Sequence, residues 1–233
     1  MKLQLPNVTL VCIDCRPPEP AIRSLEHCKG LVDFGAVKLF TSRDIEYPHV
    51  TIEEITCCPA CPNGLEHYSY WILTKLHEYI DTSHVLVVQH DAWILHPEKW
   101  NPDWLRYDYI GPLFALDPQV AMGGFTLRTL KLLRLTSEFV PERTLADYLR
   151  RHYCYEDGVI SFALRQRLEA RGCAFPDPAV AAQFGFGGNK IHYCPEPFGF
   201  HGLYAIDTLL GGSGQPLNRW PDLSIHDGEP PRR

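Results

Sequence analysis

No stretch of the 233 residues approaches the 18 uninterrupted apolar side chains that a membrane-crossing helix demands. The amino-terminal "MKLQLPNVTLVCID" has one lysine and a β-like apolar run but no small-residue cleavage pattern, so a signal peptide is not expected. Positive charge is short as well. Lys and Arg number 22 against 28 Asp and Glu, for a formal charge of −6 and a pI near 6.0. That balance removes the electrostatic footprint of non-specific binding to nucleic acid or to an anionic membrane, and leaves only a local basic groove open. There is no internal repeat and no composition shift that marks a domain boundary. The expectation is one cytoplasmic domain over residues 1–210, followed by a loosely held tail, 211–233, rich in Gly, Pro and Ser.

What is present is ordinary for a globular protein: 45% apolar and 21% charged residues, in a chain long enough for one well-cored domain. The nine cysteines include two C-x-x-C spacings, Cys12/Cys15 and Cys58/Cys61. Four thiolates suit zinc, but Cys12 and Cys15 straddle the end of a strand-like run, and neither pair has the short knuckle context of a zinc site. Reduced structural thiols and no zinc are therefore expected.

Apolar "VTLVCID" (8–14) reads as a strand. It is followed by "PPEPAIRSLEHCKG", in which prolines precede a helical stretch and Gly30 looks like its C-cap. "AVKLFTS" (36–42) is a second strand. In "GLEHYSYWILTKLHEYI" (64–80), Leu65, Tyr68, Ile72, Leu76 and Ile80 recur at three and four residues, as on one face of a helix. "HVLVV" is a third strand, 107–114 and 123–128 are short strands, and 129–139 and 157–172 are helices. Strands alternating with helices predict an α/β layer fold with a largely parallel sheet.

In such a sheet ligands bind at the carboxyl ends of the strands, and there "VLVV" meets Gln89-His90-Asp91. Asp and Gln oxygens suit Mg²⁺ or Mn²⁺. The same residues also suit a turn in which Asp91 merely caps backbone. Glu156-Asp157 opens the helix at 157, where Asp157 serves as an N-cap and Glu156 complements the macrodipole.

The blocks "QHDAWILHPEKWNPDWLRYDYIGPLF", "GGFTLRTLKLL", "YEDGVISFALRQRLEARGCAFPDPAVAAQFGF" and "PFGFHG" resemble an uncharacterised bacterial, eukaryotic and viral family grouped with nucleotide-sugar glycosyltransferases of the GT-A type. The resemblance spans roughly residues 60 to 205. It implies a single GT-A-like, Rossmann-related α/β domain with a mixed, mostly parallel central sheet flanked by helices. It also implies transfer of a sugar from a nucleoside diphosphate, with UDP favoured, to a hydroxyl acceptor. The Asp-x-Asp motif of that fold falls on Gln89-His90-Asp91, where Gln replaces the first carboxylate and retains an amide oxygen for the metal or the ribose.

By the same resemblance Asp91, Gln89 and His201 of "FGFHG" would hold Mn²⁺ or Mg²⁺. Asp14, Arg43 and His90 would contact base, ribose or phosphate, and Gly123-Gly124-Phe125 would bring backbone close to the sugar. Asp157, with Glu156 second, would be the base of an inverting reaction. In the aromatic cluster, Trp93 and Tyr109 are the candidates for stacking on an acceptor, with core packing as the alternative. The acceptor could be a saccharide, a lipid-linked glycan, a protein or a modified base in DNA. Two other functions fit the same residues: an inactive nucleotide-sugar-binding relative, favoured by Gln89, and a metal-dependent nucleotide-sugar hydrolase.

Overall fold

Residues 2–51, 64–114, 119, 121–140 and 155–210 are described in the computed structural model of the protein. Its central strand, β1 (Leu3–Ile13), is buried without interruption from Val8 onward. Alternation at period two sends Val8, Leu10 and Cys12 into one apolar cluster and Val11 and Ile13 into a second on the opposite face. β4 (His84–Val88) divides in the same way, Leu86 and Val88 against Val85 and Val87. Strands covered on both faces read as continuous apolar runs, which is why these two were legible in the sequence.

The main sheet has the order β3-β2-β1-β4-β7-β6, with β2 spanning Val32–Thr41, β3 Val50–Thr51, β6 Tyr109–Ile110 and β7 Phe125–Thr129. β1 is parallel to β2 and β4, and β2 to β3, whereas β7 is antiparallel to both β4 and β6. The sheet is thus mixed and mostly parallel. α1 (Glu19–Leu31) covers one face; α2 (Gly64–Thr74) and α3 (Leu130–Phe139) cover the other. A small second sheet, β5-β9-β8, packs on the α1 side; its strands are Ala92–Ile94, Gly199–His201 and Gly185–Phe186, in that order. Among the described residues no helix is long and apolar enough to cross a membrane.

Several boundaries differ from the sequence reading. Gly30 is not a C-cap: α1 runs through it to Leu31, and extended Val32 donates its N–H to the Cys28 carbonyl and starts β2 directly. The helix expected over 64–80 stops at Thr74, whose hydroxyl bonds back to the Tyr70 carbonyl at 2.7 Å, and continues as a 3₁₀ turn, Leu76–Tyr79. The strand expected over 107–114 shrinks to Tyr109–Ile110, because Gly111 and Pro112 follow and proline cannot donate to a ladder. The segment expected as one helix from 157 divides into α4 (Glu156–Gly158), a π turn (Val159–Ala163) and α5 (Arg165–Ala170). α6 (Pro178–Phe184) and α7 (Leu203–Leu209) complete the fold. Cys58, Cys61 and the tail from 211 lie outside the described residues, whereas Cys12 and Cys15 are buried.

Candidate functional site

β1 and β4 are parallel neighbours whose flanking helices lie on opposite faces, so their carboxyl ends border the crevice of a topological switch point. Asp14 follows β1, anchored by its N–H on the Phe40 carbonyl at 3.0 Å. Its carboxylate accepts from Arg16 three times, from the backbone N–H and Nε at 2.9 Å each and from a terminal nitrogen at 2.6 Å. The other edge of that guanidinium reaches His90 Nδ1 at 2.6 Å, beyond the end of β4. Arginine can only donate, so Nδ1 accepts; burial holds the His90 imidazole below its ordinary pKa and thus in the neutral form this requires. Arg43 is exposed and donates Nε to the Cys15 carbonyl at 2.7 Å, which brings it to the same rim.

The second half of the crevice is made by β5 and β9. Their antiparallel register sets Ala92 opposite His201, and Gly202 closes the junction by donating its N–H to the Asp91 carbonyl at 2.9 Å. Gly202 does so at φ 93°, a conformation glycine adopts without strain. His201 Nε2 then lies 3.6 Å from Asp91 Oδ1 and 3.1 Å from Gln89 Oε1. Asp91 Oδ1 is buried and has no hydrogen-bond partner. Octahedral ligands at about 2.1 Å from a divalent cation are about 3 Å apart, so the Asp91, Gln89 and His201 donors are spaced to share one with little movement. Among the described residues no ready-made group of three or more His, Cys, Asp or Glu side chains exists; the third donor here is an amide.

The acids sit across the Gly123–Gly124 dipeptide. Tyr155, not Asp157, occupies the N-cap position of α4, so both Glu156 and Asp157 fall in its first turn. Glu156 is 3% exposed and meets Arg128, fully buried, at 3.0 Å. Arg128 also donates to the Gly123 carbonyl at 3.1 Å and to Thr126 Oγ1 at 2.8 Å, with the Tyr109 ring beneath it at 5.2 Å. Burial, then the neighbouring Asp157, pushes the Glu156 carboxyl up to about 7 against the pull of Arg128. Asp157 is half-buried and accepts the N–H groups of Gly123 at 3.2 Å and Gly158 at 2.7 Å. On the other side, Gln89 donates its N–H to the Gly124 carbonyl at 2.8 Å.

The two glycines are explained by side chains of the site. A Cβ on Gly123 would collide with the Glu156 carboxyl, and one on Gly124 with the His201 imidazole. The Phe125 side chain points into the core between Phe184 and Phe198, with ring centroids at 5.2 and 6.0 Å, which leaves its backbone for the approach expected of Gly123-Gly124-Phe125. The same geometry corrects two expectations. Trp93 is fully buried, edge-on to Phe200 at 4.3 Å, and Tyr109 is 1% exposed with its hydroxyl on the Ala121 carbonyl, so neither offers a face for stacking. Sequence reading missed Arg16 and Arg128. Arg128 had a signal, a cation within a strand whose alternate residues are apolar; Arg16 had only its place two residues after Asp14.

The chain has a GT-A-like α/β fold, with a crevice at the β1/β4 switch point, a mostly parallel main sheet and a small second sheet that carries His201. The chain belongs to the family described as "Protein of unknown function (DUF5672)", whose model matches residues 61–201. No curated protein matches it significantly. Among solved structures it is similar to the galactosyltransferase LgtC in complex with donor and acceptor sugar analogues, at 12% identity over 83% of this chain and 86% of that one, with a TM-score of 0.53. It is also similar to a glycosyltransferase involved in glycosylation of the major capsid of PBCV-1, at 13% identity, 83% and 91% coverage and a TM-score of 0.47. A mannosyltransferase from Pyrobaculum calidifontis, in complex with GDP-Man and Mn²⁺, aligns over 57% of this chain and 48% of its own at 9% identity, with a TM-score of 0.36.

Proposed function

We propose that the protein is a cytoplasmic glycosyltransferase that moves a sugar from a nucleoside-diphosphate sugar, UDP-linked by preference, to a hydroxyl acceptor with inversion. The observation that carries this reading is the buried, unpartnered Asp91 Oδ1 beside Gln89 and His201 at the carboxyl end of β4. Those three residues would hold Mn²⁺ or Mg²⁺, whose chemistry is to neutralise charge on a diphosphate. Arg16, tethered by Asp14 and reaching His90, is placed to pair with the same phosphates, and Arg43 extends the rim towards the nucleoside. Asp157, aligned by the Gly123 N–H, accepts the proton of the acceptor hydroxyl. The acceptor oxygen bonds to the anomeric carbon as the bond from that carbon to the diphosphate breaks, and the diphosphate leaves with the electron pair.

Gln89 in place of a carboxylate favours a second reading, a binding protein without turnover. Calorimetry with a panel of nucleotide-sugars, with and without Mn²⁺, tests the donor site. Binding that strengthens with Mn²⁺ and weakens roughly ten- to a hundredfold in Asp91→Ala is expected, the range for losing an interaction with a charged group. Equal affinity of parent and variant in Mn²⁺ overturns the metal assignment. Release of free diphosphate only when an acceptor is added separates transferase from binder and from hydrolase.

A further inference from the structure

A cavity of about 400 Å³ plays no part in the chemistry described so far. Ser161, Arg165, Gln166, Glu169, Phe175 and Asp177 line it, over a floor that includes Tyr109 and Ala121. Tyr109 ties it to the acids: its ring lies beneath Arg128 at 5.2 Å, and Arg128 meets Glu156 at 3.0 Å. From the other side, Ala121 is two residues from Gly123, whose N–H Asp157 holds at 3.2 Å. Tyr109 and Ala121 thus bring the cavity close to the acidic pair, and its volume lies within the range of sites that take small ligands.

Its lining selects against anions. The one guanidinium among the described lining residues is already committed: Arg165 donates Nε to Glu169 at 2.6 Å and lies over the Phe175 ring at 3.7 Å. Asp177 adds a second carboxylate, so Arg165, Glu169 and Asp177 together carry one negative charge. A phosphate group, from a nucleic-acid backbone or a lipid carrier, would meet repulsion there and no free cation among the described lining residues. What remains suits a neutral polyhydroxyl compound: the hydroxyl of Ser161, itself 5% exposed, the Gln166 amide and the Asp177 carboxylate, which accepts from hydroxyl groups.

We infer that this cavity receives the acceptor, and that the acceptor is a neutral saccharide that presents one hydroxyl to Asp157. The inference rests on the transferase reading for its chemistry but not for its binding site. Fluorescently labelled protein, with UDP and Mn²⁺ present, is applied to an array of neutral glycans, phosphorylated glycans and single- and double-stranded DNA. Binding to neutral glycans is expected, at least tenfold weaker in Gln166→Trp, which fills the cavity from an exposed helix position. Melting temperature and nucleotide-sugar affinity should not change. Should Gln166→Trp melt early, Gln166→Ala is read in its place. Failure of neutral glycans to bind, a preference for phosphorylated glycans or DNA, or glycan binding indifferent to the substitution overturns the inference. If no nucleotide-sugar binds while glycans still do, the transferase reading fails and the saccharide site stands.

Discussion

Burial pushes the Glu156 carboxyl up to about 7 from an ordinary 4.5, and a raised acid pKa means that the folded state binds the proton more tightly than the unfolded one. The stability this contributes is complete below about 4.5 and is lost as pH rises through about 7. Melting temperature measured from pH 4.5 to 8 should therefore fall with a component that Glu156→Gln removes, and an unchanged profile in that variant would show that another group titrates. Asp157 calls for a different measurement. The Asp157→Asn amide oxygen can still accept from Gly123, so the local backbone should hold, but an amide cannot take a proton from a hydroxyl at neutral pH. Turnover should drop roughly 10² to 10⁴-fold with donor affinity and melting temperature nearly unchanged. Turnover at the parent rate removes Asp157 from the chemistry.

At the level of elements, the Gly123–Gly124 dipeptide joins the two halves of the site: Asp157 holds one of its N–H groups and the Gln89 N–H holds one of its carbonyls. Gly124 does not have a positive φ, so alanine there costs space and not backbone strain, and the space belongs to His201. Gly124→Ala should cost about 1 to 3 kcal/mol, as overpacking usually does, and should weaken metal-dependent donor binding. Gly124→Ala with His201→Ala should recover the stability without the binding, and denaturant unfolding of the two singles and the double measures this coupling. If the double loses the sum of the singles, the two residues do not compete for the same volume. None of this could be read from "GGFTLR", which reveals a turn before a strand but not what stands where a Cβ would be. The strands β1, β4 and β7 were legible because a buried strand is written in its own residues. Asp91 with His201 came from the family resemblance and not from the local residues, because their meeting depends on the pairing of β5 with β9.

For the whole molecule, the alternation of strands and helices was enough to indicate a layered α/β fold, and the quoted blocks were enough to indicate its family resemblance. The reading erred where a side chain's direction decides its role. Trp93 and Tyr109 looked like stacking surfaces because aromatic residues crowd that stretch of the sequence, and the fold turns both inward, where apolar rings are worth more against each other than against water.

The β5–β9 register also bears on when the site can exist. Gln89 and His201 are separated by 112 positions, and a ribosome adding about 5 to 20 residues per second needs roughly 6 to 22 s to cover that distance. Throughout that interval β1 and β4 can pair and bury their faces, while the Asp91 carboxylate has been synthesised but its imidazole neighbour has not. A nascent chain is thus able to pair its central strands well before His201 can stand beside Asp91.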